Sequence, residues 1–146
     1  MNFISKDIAR YCGYRDVYAF QNDQRRYGWP LKPIKRIRGK YRFSYGSCLM
    51  ALVIDRLRAS GIPSSMVKPM IDRIDDEAFR LAVDEFESGA ADEIIVTLPV
   101  SEMFEPDEVT AVVHTSKASA YETLDLLDCV YVRLTDLAEG IREGAI

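Results

Sequence analysis

No run of apolar residues in this 146-residue sequence approaches the roughly 20 needed to cross a bilayer, so no membrane span is expected. Soft metal ligands are scarce. There are three cysteines, Cys12, Cys48 and Cys129, one histidine, His114, and no C-x-x-C pair. Zinc sites and disulfide frameworks need such ligands clustered, so no metal is expected and each cysteine, set among apolar neighbours, reads as a buried free thiol. The patterns G-x-x-x-x-G-K-[ST], G-x-S-x-G and H-E-x-x-H are missing as well. Asp75-Asp76-Glu77, Asp92-Glu93 and Asp107-Glu108 are carboxylate clusters, but no lysine or histidine at a telling spacing joins them. They read as solvated helix ends or loops, and His114 reads as structural. The opening MNFISKDIARYCGY carries charge too early and too often for a signal peptide. What remains is the expectation of a soluble cytoplasmic protein of bacterial type, not an enzyme, with no cofactor.

With 48% hydrophobic residues the chain has enough apolar material for a core. Its net charge of −4 conceals a division. Residues 1–75 carry 15 Lys and Arg against 6 Asp and Glu, and residues 76–146 carry 4 against 17. Balances of +9 and −13 point to a polyanion-binding part joined to an acidic part.

The densest basic stretch runs from Arg25 to Arg42. It holds Arg25, Arg26, Lys32, Lys35, Arg36, Arg38, Lys40 and Arg42 with no carboxylate, interleaved with Tyr27, Trp29 and Tyr41, and Phe43 follows. Upstream, Ser5–Tyr11 reads as a helix capped by Ser5, and Gly13 suits the turn after it. Asp16 then caps a second helix running to about Tyr27, with Val17 and Phe20 inward. Pro30 and Pro33 forbid further helix. Lys35 to Phe43 reads as two strands turning near Gly39, anchored by Ile37, Tyr41 and Phe43, while Arg and Lys project outward. Ser44 or Ser47 caps a third helix with the apolar face Leu49, Leu52, Val53 and Leu57, ended by Gly61. A long fourth helix is expected to reach Ser88-Gly89, with Pro69 in its first turn. Beyond it, Glu93–Leu98 and Val109–His114 read as strands around the acidic loop SEMFEPDE. Ser116–Leu127 reads as a helix, Cys129–Leu134 as a strand, and Thr135 as the cap of a last helix.

The order of these parts resembles the winged helix-turn-helix of MerR-like regulators and their excisionase relatives over residues 3–74. Ile4, Ile8, Ala9 and Gly13 follow the opening I-x-x-I-A-x-x-x-G pattern apart from one residue of spacing. Gly39-Lys40-Tyr41-Arg42-Phe43-Ser44-Tyr45 is similar to the G-x-R-x-Y core of the wing with one extra residue, and Leu57 to Ile62 to the Leu-x-x-x-Gly-[Ile/Phe] junction. The resemblance implies a winged helix-turn-helix over 1–75. The residues beyond it depart from the family and read as a connecting helix over 76–89 and a small acidic α/β domain over 90–146 for dimerisation or partner binding, so that the whole is expected to be an α+β protein. The resemblance also implies a sequence-specific transcriptional regulator of phage or mobile-element type, a repressor by this reading, that binds operator half-sites in double-stranded DNA as a homodimer or higher oligomer.

Duplex recognition needs cations for phosphates and polar side chains for base edges. By position, Arg15, Tyr18, Gln21, Asn22, Arg25 and Arg26 are the candidates on or beside the recognition helix. Gln21 or Asn22 suits adenine and Arg25 suits guanine. Lys35, Arg36, Arg38, Lys40 and Arg42 are the wing candidates, against backbone or minor groove. Tyr41 and Phe43 are expected to pack in the core, although aromatics in a basic groove also bind single strands. The alternative class is an excisionase-like architectural protein or a DNA-packaging recognition subunit, and the acidic half could also hold a protein partner.

Overall fold

A computed structural model describes residues 2–99, 111–126 and 129–144. The loop SEMFEPDE, the first residues of the strand expected from Val109, the pair Asp107-Glu108 and Leu127 lie outside the described residues. Among those described, the chain is a mixed α+β protein with seven helices and two three-stranded antiparallel sheets. It divides into two compact units, Met1–Lys68 and Pro69–Ile146. No helix among the described residues is long and apolar enough to cross a membrane.

The first unit begins with β1 (Asn2–Phe3) and α1 (Ser5–Tyr11). The cap of α1 is Ile4, not Ser5. Ile4 continues the extended backbone of β1, and its N–H donates to the Asp7 carboxylate at 2.9 Å, half of a capping box that starts one residue earlier than expected. Helix α2 (Val17–Tyr27) starts as the sequence suggests, with Asp16 Oδ1 accepting from the Ala19 N–H at 2.8 Å. It stops at Gly28, whose φ of 65° takes the left-handed conformation that glycine adopts without strain.

Strands β2 (Lys35–Ile37) and β3 (Lys40–Ser44) form a hairpin, with Lys35 opposite Arg42, Arg36 opposite Tyr41 and Ile37 opposite Lys40. Its two-residue loop, Arg38-Gly39, has φ of 50° and 78°, the positive values of a type I′ turn that match strand twist. Strand β3 also pairs with β1, placing Phe43 against Phe3 in the core. The expected anchoring by Ile37 and Tyr41 does not occur: they are 37% and 50% exposed, and only Phe43 is buried. The hairpin runs on past the end of β1, so the β3 residues from Arg42 to the tip have no sheet neighbour on that side.

Ser44 caps α3 (Tyr45–Ala59), its hydroxyl accepting from the Ser47 N–H at 3.0 Å. Seven consecutive residues, Cys48 to Ile54, are buried, so this helix is enclosed on more sides than the single apolar stripe suggests. Trp29 and Leu31, from the connector after α2, are buried too. Cys12 and Cys48 are buried free thiols; burial raises both pKa values, that of Cys48 up to about 12. Cys129 is likewise in no disulfide but is only half buried.

The long fourth helix is in fact two, α4 (Ser64–Ile71) and α5 (Asp76–Ser88). Asp75 interrupts the period by accepting the Ala78 N–H at 2.7 Å, and Ile74 forms a bridge with Ala111. Pro69 stands inside α4, past its first turn. Residues 76–89, expected as a connector, belong to the second unit.

The sheet of the second unit has the order β5-β4-β6, with β4 (Ile95–Pro99), β5 (Val112–His114) and β6 (Cys129–Arg133). All five residues of β4 are buried. Helix α6 (Lys117–Leu126) packs against β4 and β5, and α5 against β5. The last helix, α7 (Thr135–Arg142), is preceded by Leu134 at the cap position, so Thr135 is its first residue and not its cap. The Thr135 hydroxyl donates instead to Glu93 at 2.6 Å and accepts from the Ile94 N–H at 3.2 Å, tying the helix start to the strand entry. Glu93 also receives two hydrogen bonds from Arg133, at 2.8 and 3.0 Å, which hold its carboxyl below the usual range. His114 is buried between Thr97, 2.9 Å from Nε2, and Ser119, 2.8 Å from Nδ1, and burial lowers its pKa.

Candidate nucleic-acid interface

Helical periodicity puts Tyr18, Gln21, Asn22 and Arg25 on one stripe of α2, opposite the buried Phe20. Tyr18 is 73% exposed, so its ring and hydroxyl are available to a ligand. Asn22 and Arg25 are linked, the Arg25 guanidinium donating to Asn22 Oδ1 at 2.8 Å. Arg15 lies just ahead of the helix, exposed, with Nε 3.6 Å from the Asp16 carboxylate. Arg26 is exposed at the other end, 5.4 Å from the Tyr27 ring centroid. Gln24, a neighbour of this stripe, donates to the Leu31 carbonyl at 3.3 Å and so fastens the connector.

Strand alternation sorts the hairpin candidates into two sets. Arg36, Tyr41 and Phe43 share one face, with the Arg36 guanidinium 5.4 Å from the Tyr41 ring. Lys35, Ile37, Lys40 and Arg42 share the other. The five basic candidates therefore do not form one outward row. Arg38 is at the tip, in a conformation uncommon for any residue but glycine, asparagine or aspartate. Lys35, Arg36, Arg38 and Lys40 are exposed, whereas Arg42 is half buried and its Nε has no hydrogen-bond partner among the described residues.

Between α2 and the hairpin lies a groove of about 540 Å³, lined by Ser5, Gln21, Gln24, Arg25, Trp29, Leu31, Pro33, Tyr41 and Phe43. A second groove, of about 630 Å³, runs along α1 and the turn into α2, where Lys6 and Arg10 join Arg15 alongside Asp7 and Asp16. Lys6 and Arg10 are not among the candidates that the sequence suggests. Their signal lies in the spacing i, i+4 on α1, which puts both cations on one side.

The first unit holds 14 Lys and Arg against 4 Asp and Glu, and three of the four carboxylates are bound by named partners. Asp7 and Asp16 serve helix starts. Asp55 is half buried on α3, where burial raises its pKa. Asp23 accepts from the Tyr14 hydroxyl at 2.8 Å and lies 3.4 Å from the Arg58 guanidinium. Arg58 also donates to the Tyr14 hydroxyl and stands 5.3 Å from the Trp29 ring. That cluster joins the turn before α2, α2 itself and the connector after it to α3, and it fixes how the stripe is presented. Nothing in the sequence pairs residues 23 and 58. The second unit has the opposite balance, 5 Lys and Arg against 19 Asp and Glu.

No protein-family model matches this chain, and comparison with curated proteins finds no significant match.

Proposed function

We propose that the first unit is a winged helix-turn-helix that binds double-stranded DNA, with α2 as the recognition helix and the β2–β3 hairpin as the wing. The observation that carries this reading is the stripe Tyr18, Asn22 and Arg25, exposed, with Gln21 half buried among them, beside a hairpin bearing five cations, within a unit that has only four carboxylates, three of them bound at helix starts or to Tyr14 and Arg58. Such a surface supplies base-edge donors and acceptors on the helix and counterion release around it. By this reading the chain is a MerR-like, cytoplasmic transcriptional regulator of phage or mobile-element type. Its acidic second unit repels DNA and serves oligomerisation, so that two half-sites are bound together.

Binding of the full chain to its own upstream DNA, measured by footprinting at physiological salt, tests the proposal. A protected site of two related half-sites, bound on the order of 1,000-fold more tightly than bulk DNA, is expected. Equal affinity for the upstream region and bulk DNA overturns sequence-specific regulation. Sedimentation of the free protein tests the oligomer: a monomer at the concentrations that protect both half-sites removes the role given to the second unit.

A further inference from the structure

The groove between α2 and the hairpin differs chemically from the cationic ribbon beside it. Trp29, Leu31 and Phe43, all buried, contribute apolar surface, and Tyr41 lines it while half exposed. Arg25 is the one charged residue of its lining. A phosphodiester strand calls for several cations at its path, but Lys35, Lys40 and Arg42 lie on the other face of the hairpin and Arg38 at its tip, which leaves Arg25 in the lining and Arg36 beside Tyr41. An exposed aromatic ring over an apolar floor, with amide and guanidinium groups beside it, suits a nucleobase instead, which stacks through its face and hydrogen-bonds through its edge. Gln21 and Arg25 are placed for the edge, and the Tyr41 ring, paired with Arg36 from the neighbouring strand, for the face. The volume, about 540 Å³, is of the size that small-molecule pockets have.

We propose that this groove receives one unstacked nucleobase, drawn from a duplex whose phosphates are held by the surrounding cations. The inference rests on the DNA-binding reading and adds that the bound duplex is opened at one step. Extrusion costs least where a base has no partner, so the protein favours a duplex with an unpaired base over a fully paired one.

The test uses the full chain and three duplexes of the same sequence: fully paired, with one unpaired adenine, and with an abasic residue in place of that adenine. The adenine-bulged duplex is expected to bind about tenfold more tightly than either of the others, as one base–aromatic stack allows. Tyr41→Ala and Gln21→Ala should each bring that ratio toward one, and Tyr41→Phe should keep it. Two substitutions on different elements guard against a variant that fails to fold. Equal binding of all three duplexes overturns the base site while the DNA-binding reading stands. Equal preference for the bulged and abasic duplexes over the paired one also overturns it, because the protein then responds to flexibility and not to a base. Failure to bind any of them at low salt overturns the DNA-binding reading, and this inference with it.

Discussion

The two units use the same component, a three-stranded antiparallel sheet, in opposite ways. In the second unit the central strand β4 is buried along its whole length, and the sheet is core. In the first unit only Phe43 and the short strand β1 hold the sheet to the core, and all three residues of β2 are exposed. Charge follows the same division, +10 over residues 1–68 and −14 over 69–146. Beyond Phe43 the hairpin buries no apolar side chain and so contributes little hydrophobic stability. The hairpin is therefore free to carry cations at a density that a core strand could not bear.

The comparison is broken most severely by removing those cations. Replacing Arg36, Arg38, Lys40 and Arg42 together with alanine should weaken DNA binding by on the order of 100-fold or more and lower the salt slope by roughly 0.9 for each phosphate no longer neutralised. Mobility shifts over a series of salt concentrations read both quantities. An unchanged slope would mean that the hairpin does not meet phosphates.

Next in size is Phe20→Ala, which opens a cavity beneath α2 and should cost about 3–5 kcal/mol in the first unit. The single tryptophan, Trp29, is buried in that unit, so its fluorescence in a urea titration follows the basic unit specifically. Leu98→Ala, in β4, is the matching lesion in the other unit and should leave the Trp29 transition near its original midpoint if the units unfold separately.

Acid should separate the units by sign. The second unit contains the one histidine, and folding lowers its proton affinity from the ordinary pKa of 6.5. The unfolded chain takes up that proton first, so the stability contributed by neutral His114 is present above about pH 6.5 and is lost as the pH falls. Glu93, whose pKa is also lowered, adds a loss in the same direction at lower pH. In the first unit Asp55 has the opposite shift, so its contribution is full below its ordinary pKa of 3.8 and is lost as the pH rises. Urea midpoints at pH 7 and pH 5 should differ when followed by far-ultraviolet dichroism and much less when followed by Trp29. His114→Gln should remove most of the difference, and persistence of the full difference in that variant would reject the assignment.

The smallest expected effect is that of Arg38→Asn at the hairpin tip. Asparagine tolerates φ of 50° better than arginine, so stability should rise by less than about 1 kcal/mol while DNA affinity falls a few-fold. A gain in both would mean that the arginine has no role at the tip.

What can be read from the sequence is local. Asp16, Ser44 and Asp75 act through their own helix starts, and Arg38-Gly39 fixes its own turn, so capping and turn chemistry locate α2, α3 and the hairpin. The same Asp75 also reads as part of a carboxylate run, and an apolar period that continues on both sides of it hides the cap that splits α4 from α5. Tyr41 reads as a core residue because it alternates correctly with Phe43. Alternation gives the face of a strand but not how far the core extends beneath it. The Tyr14, Asp23 and Arg58 cluster and the burial of Trp29 depend on chain segments meeting across tens of residues, and no short-range rule reaches them. Of the candidate site, the α2 stripe is legible from its period. The division of the hairpin cations between two faces needs the register.

That register has a consequence in parity. Phe43 is held in place opposite Phe3, and every residue from there to the tip takes its side by counting outward in twos. One residue inserted between Arg42 and Phe43 would turn Lys40 and Arg42 toward α2 and Tyr41 away from it. The composition of the hairpin would be almost unchanged, but the groove would exchange an aromatic wall for a cationic one. What the ribbon offers to a ligand is thus set by whether the number of residues between the anchor and the tip is odd or even.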